Sequence, residues 1–351
     1  MSFESYLKES VKEINHEIND FFPRKLSKKW LEGVFGRPEF GFDLETLDKS
    51  IVEPVWDFLD RGGKRWRPAL MILCCEAVGG KKKNAMPFVA IPELLHAGTL
   101  VIDDVEDNSD MRRGKPSMHK LFGLDIAVNN GTLLYYLPMS ILFSDNKISA
   151  VTKSRLYDVY CQEMLKLSFG QGMDIFWHKG KKDVVSKEHY LQMCSYKTGT
   201  LARLSARFGA ILGGADAKLE VLLGDFANTI GVAFQIHDDV LNLSKENVLG
   251  KDFAEDIMEG KRTLMVIHCI ENSSTKDGLR LKEILSMHTD DVGLKREAIE
   301  LMEKSGSLDY ASGVAREIIL GAWSAVEPKL KQSKSKALLK DFANYLVERK
   351  N

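Results

Sequence analysis

Apolar residues recur at helical spacing along most of this 351-residue chain. In segment after segment they fall at positions i, i+3, i+4 and i+7, the pattern of amphipathic or buried helices. Few stretches alternate with the two-residue period of a strand. The clearest helical segments are 50–60, 86–107, 126–144, 151–176, 187–213, 217–243, 262–271, 295–304, 309–325 and 335–349. The pattern therefore predicts an all-α protein.

The domain organisation follows from the lack of any low-complexity linker. Hydrophobic residues make up 44% of the chain, which is enough for a sizeable core. We predict a polar N-terminal lead over residues 1–40. Residues 41–351 are predicted to form a single-domain bundle of ten or more helices around a central apolar cavity. Pro92 is expected in the first turn of its helix, where a missing N–H costs little.

Charge and cysteine content exclude several classes of protein. The 49 basic and 50 acidic residues nearly cancel, which argues against a nucleic-acid partner. The five cysteines contain no C-x-x-C pair, so we interpret them as free thiols in a reducing cytoplasm. The N-terminus lacks an apolar signal-peptide core, and the longest apolar run, 132–144, is too short to span a bilayer. A soluble, cytoplasmic protein without a transmembrane segment is predicted.

An acidic cluster ends the predicted helix 86–107, at Asp103-Asp104-Val105-Glu106-Asp107. Asp103 and Asp107 are i,i+4 neighbours, so their carboxylates share one face and repel each other. They also lie at a helix C-terminus, where the helix dipole disfavours anions. A bound cation would offset both costs. Mg²⁺ is the natural candidate, because it takes oxygen ligands and is commonly shared with substrate phosphates.

A second acidic cluster, Asp238-Asp239-Val240-Leu241-Asn242, follows the apolar run 230–236. Its first and fifth residues again share a face. Because Asn242 supplies a neutral oxygen, this cluster is expected to bind its cation less tightly. One acidic helix end alone is as often a solvated surface, but two that follow apolar runs favour metal sites at the mouth of a cavity.

Basic residues accompany both acidic clusters. The segment Gly62–Pro68 places three cations between a Gly-Gly turn and a predicted helix, which is typical of a diphosphate site. Arg112-Arg113-Gly114 follows the first cluster, Lys197-Thr198-Gly199 lies in a helical stretch, and Lys251 and Lys261 follow the second cluster. Each alone is typical of a solvated surface. Together with the acidic clusters they indicate a site for two polyanions.

In combination these motifs resemble those of the trans-isoprenyl diphosphate synthases, the polyprenyl synthetase family. The resemblance covers roughly residues 50–265. It rests on G-G-K-R-W-R-P at 62–68, E-L-L-H at 93–96, D-D-V-E-D at 103–107, R-R-G at 112–114, G-Q-G-M-D at 170–174, Y-K-T-G at 196–199, F-Q-I-H-D-D at 234–239 and G-K-D-F-A-E-D-I-M-E-G-K at 250–261. The second cluster ends in Asn242, and this D-D-x-x-N form of the motif is common among the geranylgeranyl diphosphate synthases of the family.

The resemblance implies the isoprenoid synthase fold, a homodimer and a head-to-tail condensation of isopentenyl diphosphate with an allylic diphosphate. The product would be geranylgeranyl or a longer trans-polyprenyl diphosphate. Implied ligands of Mg²⁺, three ions in all, are Asp103, Asp104, Asp107, Asp238 and Asp239. Implied substrate contacts are Lys64, Arg67, His96 and Arg113 for isopentenyl diphosphate, Arg112, Lys197 and Lys261 for the allylic diphosphate, and Thr198 and Gln235 for the carbocation. Lys251 is a further predicted substrate-binding residue.

Chain length is predicted from helix geometry below Asp103. Thr99 and Gly98 lie one turn away, about 5.4 Å, and Leu95 lies two turns away. Because Gly98 and Thr99 are small, a tunnel is expected to stay open for a product of twenty carbons or more, and phenylalanine at these positions to shorten it. Tyr135 and Tyr136 on the next helix are candidates for the tunnel floor, or ordinary core aromatics. The 244–262 loop is expected to close over the site.

Several alternatives stay open from the residues alone. A non-catalytic or modulatory subunit of a prenyl synthase is one, because Asn242 replaces an acid. A farnesyl diphosphate synthase is another. A terpene cyclase shares the fold and the first acidic motif but would lack the cations of the segment 62–68. A di-iron bundle would need a second E-x-x-H besides Glu93–His96.

Overall fold

The computed structural model describes residues 2–182, 184–243 and 254–348, and these are overwhelmingly helical. The helices are α1 Phe3–Phe21, α2 Lys28–Phe35, α3 Leu44–Leu47, α4 Glu53–Asp60, α5 Trp66–Ala77, α6 Lys82–Ala85, α7 Ala90–Glu106, α8 Met118–Phe122, α9 Leu124–Tyr136, α10 Ser140–Ser144, α11 Ala150–His178, α12 Lys187–Cys194, α13 Thr200–Leu212, α14 Ala217–Asn242, α15 Glu255–Met258, α16 Leu264–Asn272, α17 Thr275–Ser286, α18 Val292–Lys304, α19 Ser307–Val326 and α20 Lys334–Glu348. A hairpin of β1 Met111–Arg112 and β2 Lys115–Pro116 is the only sheet within the described residues. The all-α prediction is confirmed.

The helix boundaries agree with those predicted from the apolar periodicity, except where a 3₁₀ or π-helical turn interrupts a predicted helix. Pro92 lies in the first turn of α7, as predicted. The segment 126–144 is divided by a 3₁₀ turn at Leu137–Met139, where Pro138 has no N–H to donate to a helical hydrogen bond. The segment 187–213 is widened by a π-helical turn at Ser195–Gly199. Such single turns are frequent at functional sites, and this one contains Lys197 and Thr198.

The N-terminal 40 residues contain α1 and α2. Helix α1 is polar overall but carries a buried apolar stripe at Phe3, Leu7, Ile14 and Ile18. It packs on α5 and α7. The N-terminal segment is polar overall, which is why a lead was predicted. Its first helix is nevertheless amphipathic, and the apolar face of that helix is buried.

Contacts divide the chain into two compact units. Unit 1 comprises Met1–Val159 and Ser205–Asp216, and unit 2 comprises Tyr160–Leu204 and Ala217–Asn351. In unit 1, α5 is buried along nearly its whole length, and α7 packs on α9. In unit 2, α14 packs on α19. The five cysteines are free, and four of them are buried.

Three helical stretches are long and apolar enough to cross a membrane, judged by length and composition alone. They are Lys82–Glu106, Leu124–Ser144 and Ala217–Asn242. The uninterrupted apolar runs within them are short, because charged and amide residues such as Glu93, Asn130 and Glu220 interrupt them. Between half and about two thirds of the most apolar 18-residue window of each stretch is buried inside the protein.

Candidate active site

In unit 1, the C-terminal end of α7 carries the first acidic cluster. Asp104 is fully buried, whereas Asp103 and Asp107 are partly exposed. The Arg112 Nε donates to Asp104 Oδ1 at 2.6 Å, and a second guanidinium nitrogen contacts the same oxygen. Burial raises the pKa of Asp104, and the Arg112 guanidinium opposes that rise. The Asp104 Oδ2 is buried and has no hydrogen-bond partner among the described residues.

The β1–β2 hairpin determines where the two arginines point. Its turn residues, Arg113 and Gly114, have φ of 53° and 76°, as a two-residue turn between twisted strands requires. Arg112 precedes the turn and returns to the α7 end. Arg113 donates to the carbonyl oxygen of Gly62. The hairpin therefore links the first acidic cluster to the glycine-rich turn.

Several cations surround His96 on α7. Arg67 is buried in the first turn of α5, with its guanidinium 4.3 Å from the centre of the Trp66 ring. Burial lowers the pKa of His96 well below its ordinary value, and Arg67 and Arg113 lower it further. The imidazole is therefore neutral. Lys64 is exposed beside these groups in the chain. Of the predicted set, Arg67 and Arg113 act electrostatically on His96, and Lys64 precedes Arg67 by three residues. We refer to these four residues as the electropositive region of unit 1.

In unit 2, the π-helical turn positions Lys197. Its Nζ lies 2.6 Å from Asp174 Oδ2. Burial alone would raise the pKa of Asp174, but Lys197 and Lys261 hold that pKa below its usual value. Asp174 is thus a buried carboxylate that fixes the lysine.

Two glycines allow α14 to approach the π-helical turn. A Cβ on Gly231 would lie 2.6 Å from the Cα of Gly199, which no real side chain tolerates. This close approach brings the Thr198 hydroxyl within 2.8 Å of Gln235 Oε1, to which it donates. The two residues predicted to face the carbocation are therefore in contact.

Gln235 is in turn oriented by the second acidic cluster. Its Nε2 donates to Asp239 Oδ1 at 2.7 Å, and the Tyr190 hydroxyl donates to Asp239 Oδ2 at 2.7 Å. Asp239 is only 4% exposed. Burial and the nearby Asp256 raise its pKa to about 7. Both oxygens of Asp239 are engaged by protein donors, whereas the neighbouring Asp238 is partly exposed.

The end of the second cluster differs from expectation. The Asn242 Oδ1 accepts the backbone N–H of Asp256 at 3.1 Å, so this oxygen serves the start of α15. Lys261 Nζ lies 3.0 Å from Asp256 Oδ1. Lys251, and the first ten residues of the predicted 244–262 loop, lie outside the described residues.

The predicted chain-length residues are not all brought together. Leu95 is fully buried, and the Thr99 hydroxyl donates to the His96 carbonyl at 2.8 Å. A Cβ on Gly98 would lie 2.8 Å from the Gly131 carbonyl oxygen and 3.2 Å from the Tyr135 ring. Gly98 is therefore small because α7 and α9 touch there, a reason that the tunnel prediction did not include.

The two adjacent tyrosines of α9 have different surroundings. Tyr135 packs beside Gly98, and burial followed by Glu106 and Asp103 raises its pKa. Tyr136 is 65% exposed on the surface of unit 1. The expectation that Tyr136 forms a tunnel floor is thus corrected, because adjacent residues of a helix point about 100° apart.

Sequence reasoning missed several residues of these clusters. Asp174 ends the quoted G-Q-G-M-D motif, which was the signal available for it. Tyr190 had no signal, because a single tyrosine in a helix is ordinarily a core residue. Asp256 lies within the quoted motif 250–261, but nothing there indicated its contact with Asn242.

The donor atoms at the α7 end fit Mg²⁺. No group of three or more His, Cys, Asp or Glu side chains forms a complete metal site within residues 2–182, 184–243 and 254–348. Mg²⁺ does not need one, because it keeps several waters and shares carboxylates with substrate phosphates. The unpartnered Asp104 Oδ2 and the partly exposed carboxylates of Asp103 and Asp107 supply suitable oxygens.

A helical protein with two acidic helix ends and nearby cation clusters has the features of an enzyme that acts on diphosphates. The polyprenyl synthetase family model matches residues 48–302, and the chain belongs to that family. It is similar to a short chain isoprenyl diphosphate synthase of Methanothermobacter thermautotrophicus, with 37% identity over 88% of this chain and 96% of the relative. It is also similar to a geranylgeranyl pyrophosphate synthase of Geoglobus acetivorans, with 36% identity over 87% and 92%.

Solved structures agree with this assignment. The crystal structure of geranylgeranyl pyrophosphate synthetase from Pyrococcus horikoshii superposes with a TM-score of 0.85, at 33% identity, covering 99% of this chain and 98% of that one. The isoprenoid synthase fold is thereby confirmed. The chain is a trans-prenyltransferase of the isoprenyl diphosphate synthase type, and prenyl synthases of this family generally use Mg²⁺.

Proposed function

We propose that this prenyltransferase condenses isopentenyl diphosphate with an allylic diphosphate and releases geranylgeranyl diphosphate or a somewhat longer product. The observation that carries the proposal is the presence of both acidic helix ends, each with its own cations, in one chain of this family. The names of the relatives support the product range. They include a geranylfarnesyl diphosphate synthase of Aeropyrum pernix at 31% identity over 299 residues.

Isopentenyl diphosphate is assigned to the electropositive region of unit 1. Lys64, Arg67 and Arg113 supply the charge for its diphosphate. The neutral His96 can donate one hydrogen bond without adding a charge. The direction of the His96 pKa supports this assignment, because burial lowers it and the Arg67 and Arg113 guanidinium groups lower it further.

The allylic diphosphate is assigned to Arg112, Lys197 and Lys261, together with Mg²⁺ held by the acidic clusters. Asp103, Asp104, Asp107, Asp238 and Asp239 are the proposed Mg²⁺-binding set for three ions, with Asp239 the least accessible. When bound, Mg²⁺ would neutralise negative charge on the diphosphate.

The difficult step is ionisation of the allylic C–O bond, and the cations stabilise the departing diphosphate. Two unit charges 4 Å apart attract by roughly 4 kcal/mol at an effective dielectric of about 20. Several such contacts supply a barrier reduction on the order of 10 kcal/mol. The Thr198 and Gln235 oxygens then face the allylic cation. The isopentenyl double bond attacks that cation and forms the new C–C bond, and the resulting cation loses a proton to the released diphosphate.

Incubation of the purified protein with isopentenyl diphosphate, Mg²⁺ and each allylic diphosphate in turn tests this function. We expect products of twenty carbons or more, and no product once Mg²⁺ is chelated. A predominant fifteen-carbon product would identify a farnesyl diphosphate synthase. Absence of any condensation would overturn the proposal.

Product length is proposed to depend on Tyr135, which packs beside Gly98 one turn below Asp103. Tyr135→Ala should remove a barrier and lengthen the main product by about one prenyl unit, since one helical turn spans about 5.4 Å. Tyr136→Ala, at the exposed neighbour, is the matched control and should leave product length unchanged. Equal product lengths for Tyr135→Ala and the unsubstituted protein would refute this role.

We also propose a cytoplasmic homodimer, as the resemblance implies. Support comes from a shallow groove on α9 that is lined in part by Leu124 and Val128, two exposed apolar side chains. The unpaired cysteines suit a reducing compartment. Sedimentation of the unsubstituted protein and of Val128→Asp should distinguish a dimer from a monomer.

A further inference from the structure

Arg65 is buried next to the glycine-rich turn. In the sequence it lies between Lys64 and Arg67, two of the cations assigned to isopentenyl diphosphate. Its backbone has φ of 50°, a left-handed conformation that residues with a Cβ seldom adopt. Its side chain is 5% exposed. An arginine with such a backbone and such burial needs partners that hold it there.

The partners of Arg65 come from three separate helices. Its Nε donates to Asn15 Oδ1 of α1 at 3.0 Å, and one terminal nitrogen donates to the Leu59 carbonyl of α4 at 3.0 Å. The other terminal nitrogen donates to Glu93 Oε1 of α7 at 2.5 Å. One guanidinium therefore joins α1, α4 and α7 with charge-assisted bonds, the strong class of hydrogen bond.

Glu93 is the acidic partner that makes this arrangement possible. Its side chain is 4% exposed, and it precedes His96 by three residues on α7, so the two share a face. Its negative charge also acts on Arg113, where it opposes the lowering of the pKa by burial. Removing one member of such a buried pair leaves the other charge uncompensated.

The ion pair lies directly behind the isopentenyl diphosphate groups. A Cβ on Gly63 would lie 3.2 Å from a guanidinium nitrogen of Arg65 and 3.4 Å from one of Arg113. Arg65 is flanked in sequence by Lys64 and, two residues on, by Arg67. Any change in its position therefore moves the backbone that carries these cations relative to His96.

We propose that the Arg65–Glu93 ion pair is a positioning device for the isopentenyl diphosphate subsite. It fixes the glycine-rich turn against α7, so that Lys64 and Arg67 meet the same diphosphate as His96. Neither member touches the substrate. The inference rests on the proposed function, because it assumes that this region binds isopentenyl diphosphate.

Arg65→Lys is the primary test, because lysine keeps the charge but cannot make three directed bonds. We expect the KM for isopentenyl diphosphate to rise about tenfold or more, and the KM for the allylic diphosphate to change by less than about twofold. Glu93→Gln should have the same selective effect. Asn15→Ala removes one uncharged partner and should give a smaller rise in the same KM.

The matched control is Arg24→Lys. Arg24 makes a bidentate ion pair with Asp60 at 2.8 and 2.7 Å, on the surface of the same unit. This control should change neither KM. Equal rises in both KM values for Arg65→Lys, or a loss of thermal stability without any change in KM, would overturn the positioning role.

Calorimetric titration with isopentenyl diphosphate alone separates this inference from the proposed function. If the unsubstituted protein binds it and Arg65→Lys binds it about tenfold more weakly, the inference stands even where the products are not those expected. If Arg65→Lys folds and binds as tightly as the unsubstituted protein, the inference fails while the proposed function survives. If the unsubstituted protein does not bind isopentenyl diphosphate, the proposed function fails and the inference fails with it.

Discussion

The two acidic helix ends both begin with Asp-Asp-Val but have different electrostatic surroundings. In each, the second aspartate is buried, and burial raises its pKa. Asp104 is compensated by a full positive charge on Arg112. Asp239 instead accepts from two uncharged donors, Tyr190 and Gln235. The same aspartate of the motif therefore has different hydrogen-bond and charge partners at the two helix ends.

The cations near the two ends differ in the same way. In unit 2, Lys197 pairs with Asp174 and Lys261 with Asp256, so lysines and carboxylates largely balance. In unit 1, burial lowers the pKa of His96, and the Arg67 and Arg113 guanidinium groups lower it further. The first region is thus built to receive an anion, and the second holds its cations on carboxylates.

The largest expected effect is a loss of activity when the first aspartate of either acidic helix end is removed, and it should be similar at the two ends. Asp103→Ala and Asp238→Ala each remove a partly exposed carboxylate of the proposed Mg²⁺ set. Each should lower kcat about 10³-fold, or about 4 kcal/mol in the barrier, and raise the Mg²⁺ concentration for half-maximal activity. Asp110→Ala, at an exposed acid paired with Lys120, is the control. A large effect at only one end would show that the two clusters are not equivalent in function.

Stability should separate the two buried aspartates. Asp104→Asn removes the closer of the Asp103 and Asp104 carboxylates that pair with Arg112, and should lower the free energy of unfolding by about 3 kcal/mol. Asp239→Asn keeps one acceptor oxygen for the two uncharged donors, Tyr190 and Gln235, and should lower the free energy of unfolding by about 1 kcal/mol. Urea unfolding without Mg²⁺ measures both. If Asp239→Asn proves the more destabilising, the contrast between charged and neutral partners is wrong.

Tyr190→Phe tests the neutral arrangement alone. Loss of the 2.7 Å bond to Asp239 should lower the free energy of unfolding by about 1 kcal/mol. It should lower kcat by about fivefold, because Asp239 orients Gln235. Tyr310→Phe, at a tyrosine stacked on His268 in the same unit, should leave kcat unchanged. Steady-state kinetics on both variants decides whether Tyr190 acts through Gln235.

The smallest effect concerns His96. Its folded-state pKa lies below the ordinary value of 6.5, so the unfolded chain binds the extra proton first as the pH falls. Stability is therefore lost below about pH 6.5. His96→Gln should abolish this part of the pH dependence of unfolding and leave the activity profile between pH 6 and 8 unchanged. Loss of the activity plateau in His96→Gln would show that a charged imidazole is needed.

The sequence predicted much of the candidate site. The periodicity that ends at Asp103 and at Asp238 predicted two helices with acidic ends, and α7 and α14 end as expected. Arg112, which the hairpin returns to Asp104, lies only eight residues further along the chain. Such features depend on spacing within a few turns of helix, and the 3.6-residue repeat is written directly in the order of side chains.

Tertiary structure alone decided the partners that come from distant parts of the chain. Tyr190 reaches Asp239 across 49 residues, and Arg65 reaches Glu93 across 28. The smallness of Gly98 reflects contact with another helix. Burial and pKa depend on everything packed around a group. Composition and spacing therefore determined the helices and the charged clusters, whereas packing determined which carboxylate is neutralised, by what, and at what pKa.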